Sequence, residues 1–293
     1  MKFTGERMIP EHNKNDEIYQ EHWNRYFFAS QFAAGKVVLD IACGSGYGCD
    51  LFLKSGAKKV VGVDISQETI DYCKNKYHGI DFLQGSVEKI PMEDKSVDLV
   101  VSFETIEHVD EQAQLNFMNE ISRILKPDGM VLISTPNSLV YPKGNEFHIK
   151  ELTLDEFTNL IKSKFKNLEM FYQDSIEADY IFSKKTLGGD VLPNSDTKIN
   201  TNKINSVDGS DSMYLIAVCT NTKVPENIEE NLVVSNHRTR KIYKKMHQDY
   251  QNYIDSLVFE RDKAKEEIKN MKLSKLWKVR SRYISLKSKM KIK

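Results

Sequence analysis

Val-Val-Leu-Asp-Ile-Ala-Cys-Gly-Ser-Gly-Tyr-Gly occupies residues 37–48, and Lys-Val-Val-Gly-Val-Asp follows at 59–64. The first six residues are a short apolar run that ends in a glycine-rich turn, the pattern of a parallel strand buried on both faces. Gly44, Gly46 and Gly48 stand at alternate positions in that turn. Glycine lets a backbone approach a ligand closely and take positive φ without a steric penalty. Asp64 ends the second run. A carboxylate there sits across the crevice of a doubly wound sheet and can accept hydrogen bonds from both hydroxyls of a ribose. Strand, turn, helix, strand and acid in this register describe a nucleoside site. The dinucleotide fingerprint needs G-x-G-x-x-G, and here the third glycine comes one residue early.

Working outward, the pattern predicts an aromatic-faced helix over 17–34 and a helix over 49–56 stopped by Gly56. Apolar runs at 80–86, 96–103 and 130–136 read as strands three to five. A helix over 112–125 ends at Lys-Pro-Asp-Gly. Thr153 and Glu156 form a capping box that opens a helix to about Lys164. Two late strands, 167–173 and 212–220, lack a full helix between them and are expected as an antiparallel pair at one edge. The fold class is α/β: a Rossmann-like, doubly wound, seven-stranded, mostly parallel sheet with a long helical C-terminal extension. The expected organisation is a covering segment and helix at 1–35, a nucleoside-binding domain at 36–220 with a flexible insertion at 184–212, a linker at 221–235 and a helical basic extension at 236–293.

Composition bounds the rest. The 293 residues are 40% hydrophobic and carry 42 basic and 42 acidic side chains. From Ile268 to Lys293 there are ten Lys or Arg and no Asp or Glu, so residues 1–267 carry a net charge of −10. No apolar run is long enough to span a bilayer, and the first residues lack the apolar stretch of a secretory signal. Cys43, Cys49, Cys73 and Cys219 show no paired spacing, which argues for reduced thiols in a cytoplasmic setting.

Asp40 through Gly46 reads D-x-x-x-G-x-G. With Ile90–Ser102 and the run Arg-Ile-Leu-Lys-Pro-Asp-Gly at 123–129, the chain resembles the class I S-adenosylmethionine-dependent methyltransferases. The resemblance runs from about Thr4 to Thr220. It implies S-adenosyl-L-methionine as cofactor. Gly44 and Gly46 would flank its methionine part, with Asp40, Ala42 and Cys43 completing the turn. Asp64 would bind the ribose, Ile65 would pack on the adenine, and Val87 would offer a backbone group to its edge. Ser86 stands where many members have Asp, and Phe103 would lie near the sulfonium. Tyr26 and Arg25, on the N-terminal helix with His22, would close over the cofactor.

The acceptor end is read from Phe-Glu-Thr-Ile-Glu-His-Val at 103–109 and Asn-Glu-Phe-His-Ile-Lys-Glu-Leu at 145–152. Imidazole titrates near neutrality, which makes His108 the candidate base, with Glu107 beside it. Glu104, Glu107, His108 and His148 also resemble the metal-holding residues of the small-RNA 3′-terminal 2′-O-methyltransferases. The mixed N/O donor set would suit Mn²⁺, Fe²⁺ or Co²⁺. With Thr-Gly-Glu-Arg at 4–7 and residues 21–29, these motifs look like bacterial surface-polysaccharide methyltransferases. That resemblance implies an acceptor that is a sugar, sugar nucleotide or phosphoglycan, methylated on a hydroxyl or a glycan-linked phosphate. Competing readings are a methyltransferase of another small molecule, a metal-dependent enzyme acting on an RNA end, a nicotinamide-dependent nucleotide-sugar enzyme, and a non-catalytic scaffold. The last two are disfavoured by the glycine spacing and by the intact turn with Asp64.

The extension supplies the other expected partners. Ile242, Met246, Tyr250, Tyr253, Ile254, Leu257 and Val258 recur at spacings of three and four, a stripe suited to self-association or a partner helix through 236–260. Residues 268–293 intersperse Trp277, Tyr283 and aliphatic residues with cations, as basic helices on anionic membrane surfaces do. A peripheral position at the inner membrane face follows. Nucleic acid is disfavoured, because these aromatics form no stacking array.

Overall fold

A computed structural model describes residues 8, 17–175, 211–230, 238–273 and 275–290. The chain divides into two compact units, Met1–Ser235 and Asn236–Lys293. The first is built from seven strands: β1 Val37–Ile41, β2 Lys59–Asp64, β3 Asp81–Gln84, β4 Val97–Ser102, β5 Leu125–Pro136, β6 Asn167–Gln173 and β7 Tyr214–Thr220. Its helices are α1 Glu17–Ser30, α2 Tyr47–Lys54, α3 Gln67–Lys76, α4 Glu111–Ile124 and α5 Leu154–Lys162, with a 3₁₀ turn at Ile106–His108.

The sheet order is β3-β2-β1-β4-β5-β7-β6. The first five strands in that order pair in parallel, and β7 pairs antiparallel with both β5 and β6. Side chains alternate between two cores, as the two-residue period of a strand requires. Val38, Val60, Leu99, Leu132 and Val218 face one core, and Leu39, Val61, Val100, Val131 and Cys219 face the other. Both faces are thus covered, which explains the continuous apolar runs of β1 and β2.

Local capping follows the sequence. Ser66 accepts from the Thr69 amide at the start of α3, Asp110 accepts from the Ala113 amide at α4, and Thr153 with Glu156 forms the capping box at α5. Two details differ from the expectation. The late hairpin is present, but β7 is inserted between β5 and β6, so the later strand is interior and β6 is the edge. Lys-Pro-Asp-Gly does not stand before β5; it lies inside it as an irregularity, where Leu125 pairs with Val97 and Met130 with Leu99. Pro127 has no N–H to give the ladder, so the register jumps there.

The insertion expected over 184–212 lies outside the described residues except for its last two positions, as does Thr-Gly-Glu-Arg at 4–7. The second unit contains α6 Arg238–Leu273 and α7 Lys275–Met290, two long helices as the absence of Gly and Pro implies. The side chains of Ile242, Met246, Tyr250 and Tyr253 lie outside the described set, while Leu257 and Val258 are exposed.

Candidate functional site

The ends of β1, β2 and β4 open on a cavity of about 370 Å³. Its floor is the β1–α2 turn, where Ala42, Gly44 and Gly46 take φ of +58°, +52° and +76°. Each glycine is needed for a different reason. A Cβ on Gly44 would meet nothing nearer than the Ala42 carbonyl at 4.0 Å, so the space above it is open to the cavity. A Cβ on Gly46 would meet Cys73 Sγ at 2.9 Å and the Tyr77 ring at 3.0 Å. A Cβ on Gly48 would stand 2.1 Å from the Tyr26 ring. Gly44 therefore makes room for a ligand, whereas Gly46 and Gly48 make room for the protein's own side chains.

Asp64 forms the wall beside this turn. The Gly44 amide donates to its Oδ2 at 3.2 Å and the Ser66 amide to its Oδ1 at 2.8 Å. These bonds fix the carboxylate at the strand end. Ile65 is 69% exposed on the same wall, and Ser86 and Val87 follow along it. An exposed large aliphatic side chain beside a fixed carboxylate fits an adenosine, with the base against Ile65 and the ribose at Asp64. Tyr26, Met8 and Phe103 also line the cavity. Met8 carried no sequence signal.

Three residues assigned to the cofactor lie outside the lining. Gly46 turns its face to α3, as described. Asp40 is fully buried beneath the floor, where Tyr26 Oη donates to Oδ1 at 3.2 Å and Cys49 Sγ to Oδ2 at 3.4 Å. Arg25 is 1% exposed; its Nη1 donates to Gln173 Oε1 at 2.7 Å and its guanidinium lies 4.7 Å from the centre of the Tyr214 ring. Arg25 ties α1 to the antiparallel edge of the sheet instead of touching the cavity.

Burial raises the Asp40 carboxyl to about 7, with Asp64 adding to the rise. In the unfolded chain the same group titrates near 3.9. Between those values the folded state holds a proton that the unfolded state has lost, so stability falls as pH rises through this window. We expect Asp40→Asn to remove that slope. From pH 5 to pH 8 the wild type should lose about 2–3 kcal/mol relative to the variant in urea unfolding. Parallel pH profiles would show that Asp40 is ionised throughout.

Of the acceptor residues, Glu104 and His108 line the cavity, whereas Glu107 and His148 lie outside its lining. Glu107 is fully buried. Its Oε2 accepts from Thr135 Oγ1 at 3.3 Å, while Oε1 has no hydrogen-bond partner and lies 3.9 Å from His108 Nε2. Burial, then the neighbouring Glu104, pushes the Glu107 carboxyl well up. His108 Nδ1 is 2.9 Å from the Phe147 carbonyl. A carbonyl only accepts, so Nδ1 carries the hydrogen and neutral His108 keeps its lone pair on Nε2.

Among the described residues, Glu107, His108 and His148 offer ligand atoms within 4.8 Å of one another. Glu104 is not in this group. It takes φ of +51°, accepts from Ser134 Oγ at 2.6 Å and lies 3.9 Å from Arg25 Nη1. His148 is held by residues that the sequence reading left out. Its Nδ1 donates to Glu151 Oε1 at 2.7 Å, and Asn145 Nδ2 donates to its Nε2 at 2.9 Å. The H-x-x-E spacing of 148–151 was the available signal. Both imidazoles have Nδ1 tied to an oxygen, as ligating histidines do. Against that, His148 Nε2 already accepts from Asn145 and burial pushes the Glu107 carboxyl toward its neutral form, so an ion would have to displace both Asn145 and the Glu107 proton.

Residues 39–133 match the family model described as a methyltransferase domain. A probable S-adenosylmethionine-dependent methyltransferase of Mycolicibacterium smegmatis is 36% identical over 168 residues, 56% of this chain and 64% of that protein. A demethylmenaquinone methyltransferase of Chlorobaculum tepidum is 32% identical over 158 residues, 54% of this chain and 57% of that protein. The chain thus spans less than two thirds of these curated relatives. The crystal structure of the PH0226 protein of Pyrococcus horikoshii superposes with a TM-score of 0.52 at 19% identity, covering 75% of this chain and 99% of that one. It shares the fold.

Proposed function

We propose that this chain is an S-adenosylmethionine-dependent methyltransferase that methylates an oxygen of a sugar or of a glycan-linked phosphate in surface-polysaccharide assembly. The observation that carries the first part is the pairing of Asp64, fixed by the Gly44 amide, with the open space over Gly44. The match of residues 39–133 supports it. The sugar acceptor rests on the likeness of 4–7, 21–29 and 145–152 to polysaccharide methyltransferases.

When bound, the cofactor supplies a methyl carbon on a cationic sulfur, which an acceptor oxygen displaces in line. The protein's part is alignment and proton acceptance. The end of β4 places His108 Nε2 at the cavity, where it can take the proton of an acceptor hydroxyl. The 3.9 Å between Glu107 Oε1 and His108 Nε2 favours a second reading. In it Glu107, His108 and His148 would hold a divalent ion, which would supply Lewis acidity for an acceptor oxygen, and His108 would serve as a ligand.

The Asn236–Lys293 unit has its own role in this proposal. Trp277, Val279, Tyr283 and Ile284 are exposed on α7, within the stretch that has ten cations and no acid. We assign this helix to an anionic membrane surface, and the exposed Leu257 and Val258 of α6 to self-association. Among the described residues no helix is long and apolar enough to cross a membrane.

The test is calorimetry on the full chain with S-adenosylhomocysteine and with NAD, followed by intact-mass analysis of sugar nucleotides and phosphoglycans after incubation with cofactor. Binding of the homocysteine alone, and a mass gain of one methylene on a saccharide, are expected. NAD binding, or methylation confined to non-saccharide acceptors, would overturn the corresponding part. Loss of transfer on chelation with recovery in Mn²⁺ selects the metal reading. Failure of the full chain to sediment with anionic liposomes at low salt removes the membrane role.

A further inference from the structure

The segment between β5 and α5 is attached to the acceptor residues by its backbone. Phe147 offers its carbonyl to His108 Nδ1 at 2.9 Å. The Ile149 and Lys150 amides donate to the Glu107 carbonyl at 2.8 and 3.0 Å. The His148 ring stands edge-on to the His108 ring, 5.1 Å between centres. At its other end, Ser138 and Leu139 follow Asn137, two residues beyond the Thr135 hydroxyl that holds Glu107. Whatever occupies the acceptor end must therefore lie beside this segment.

Its side chains are not those of a solvated loop. Leu139 is 77% exposed and Ile149 67% exposed, and Val140 and Phe147 are also exposed. Four large apolar side chains face solvent within eleven residues, at both ends of one loop. Single exposed apolar residues need no explanation, but four of them on one segment, tied by its backbone to the cavity residue His108, mark a surface that takes apolar matter.

We infer that the methyl acceptor is an amphiphile. Its polar, methylated end lies against His108, and an alkyl or isoprenoid chain lies on Leu139, Val140, Phe147 and Ile149. The inference rests on the methyltransferase reading and adds the chemical class of the acceptor. The polar groups at the cavity end select the oxygen, and the loop selects what carries it. The sugar of the proposed function is then presented on an apolar carrier and not free in solution.

The experiment uses the full chain saturated with S-adenosylhomocysteine and titrated with maltose and with n-alkyl β-maltosides below their micelle-forming concentrations. Affinity should rise with chain length, by up to about fourfold for each methylene fully buried (about 0.8 kcal/mol). Maltose itself should bind far more weakly. The double variant Leu139→Asp/Ile149→Asp should lose at least tenfold in dodecyl maltoside affinity while keeping its S-adenosylhomocysteine affinity. Both side chains are exposed and the hydrogen bonds of Ile149 are made by its backbone, so the substitution leaves the fold in place. Affinity independent of chain length overturns the inference. So does a length dependence that survives in the double variant, because the chain is then bound elsewhere, as on the exposed residues of α7. If the wild type does not bind S-adenosylhomocysteine, the methyltransferase reading fails, and the maltoside series still decides whether the loop takes an alkyl chain.

Discussion

Replacing Asp64 with Ala should weaken S-adenosylhomocysteine binding by about 10²- to 10⁴-fold. Two hydrogen bonds from ribose hydroxyls to one carboxylate contribute roughly 1.5–3 kcal/mol each, and their sum converts to that range. The carboxylate also accepts from the Gly44 and Ser66 amides, so the Ala variant loosens the turn itself. Asp64→Asn separates the two effects. It keeps the shape and one acceptor oxygen, and it should fall between wild type and Ala in affinity with little change in thermal midpoint. Calorimetry reads the affinity and a melting curve reads the fold. An Ala variant within about twofold of wild type would place the ribose elsewhere, because the loss of even one such bond exceeds that.

His108→Ala should lower turnover by about 10²- to 10⁴-fold, the range for loss of a general base, with cofactor affinity nearly unchanged. The second half follows from its tie: His108 is held by Nδ1 to the Phe147 carbonyl on the segment between β5 and α5. Glu107→Gln reads the state of the buried carboxyl, which burial pushes toward the neutral acid: turnover close to wild type is expected, and a large loss would show that Glu107 ionises beside an imidazolium. His148→Gln divides the two chemical readings. Equal loss in His148→Gln and His108→Ala, with Mn²⁺ at high concentration restoring part of it, marks a shared ion. A loss tenfold smaller than that of His108→Ala marks proton acceptance by His108 alone. Turnover that survives in His108→Ala makes that residue structural.

The sequence was most informative where one residue type answers one physical demand. A glycine with positive φ and open space above it is legible at Gly44, and so is an acid at the end of β2. Gly46 and Gly48 satisfy the same motif yet serve packing, because the Cys73 thiol and the Tyr26 ring reach them from distant segments. Spacing along the chain carries no record of that approach. The same holds for Arg25, whose partners Gln173 and Tyr214 lie more than a hundred residues away. Asp40 reads as part of the turn, but period-two alternation puts it under the floor, facing Tyr26 and Cys49. Glu104 and Glu107 are three residues apart and were both expected as metal ligands. A left-handed backbone at Glu104 sends it to Ser134 and Arg25, while Glu107 stays with His108. The edge pairing of the last two strands was readable from their lengths and their missing helix. Their order was not read, although β6 carries Asn167, Glu169 and Gln173 while β7 is apolar from Tyr214 to Cys219, the contrast of an edge with an interior strand.

That order has a consequence for the growing chain. Among the described residues β6 pairs with β7 alone, and Thr220 lies 47 positions after Gln173. At about 5–20 residues per second, the ribosome takes roughly 2–10 s to add them. Through that interval the first five strands can already be paired in parallel, but β5 presents an open edge and β6 has nothing to join. The wait also reaches the cavity. α1 precedes both late strands in the chain, yet Arg25 and Glu21 anchor it to Gln173 on β6 and Tyr214 on β7. The helix that carries Tyr26 over the glycine turn is therefore synthesised before the strands that fasten it. Holdase binding to ribosome-bound chains should be strongest in this interval, and slow codons between β6 and β7 would lengthen it.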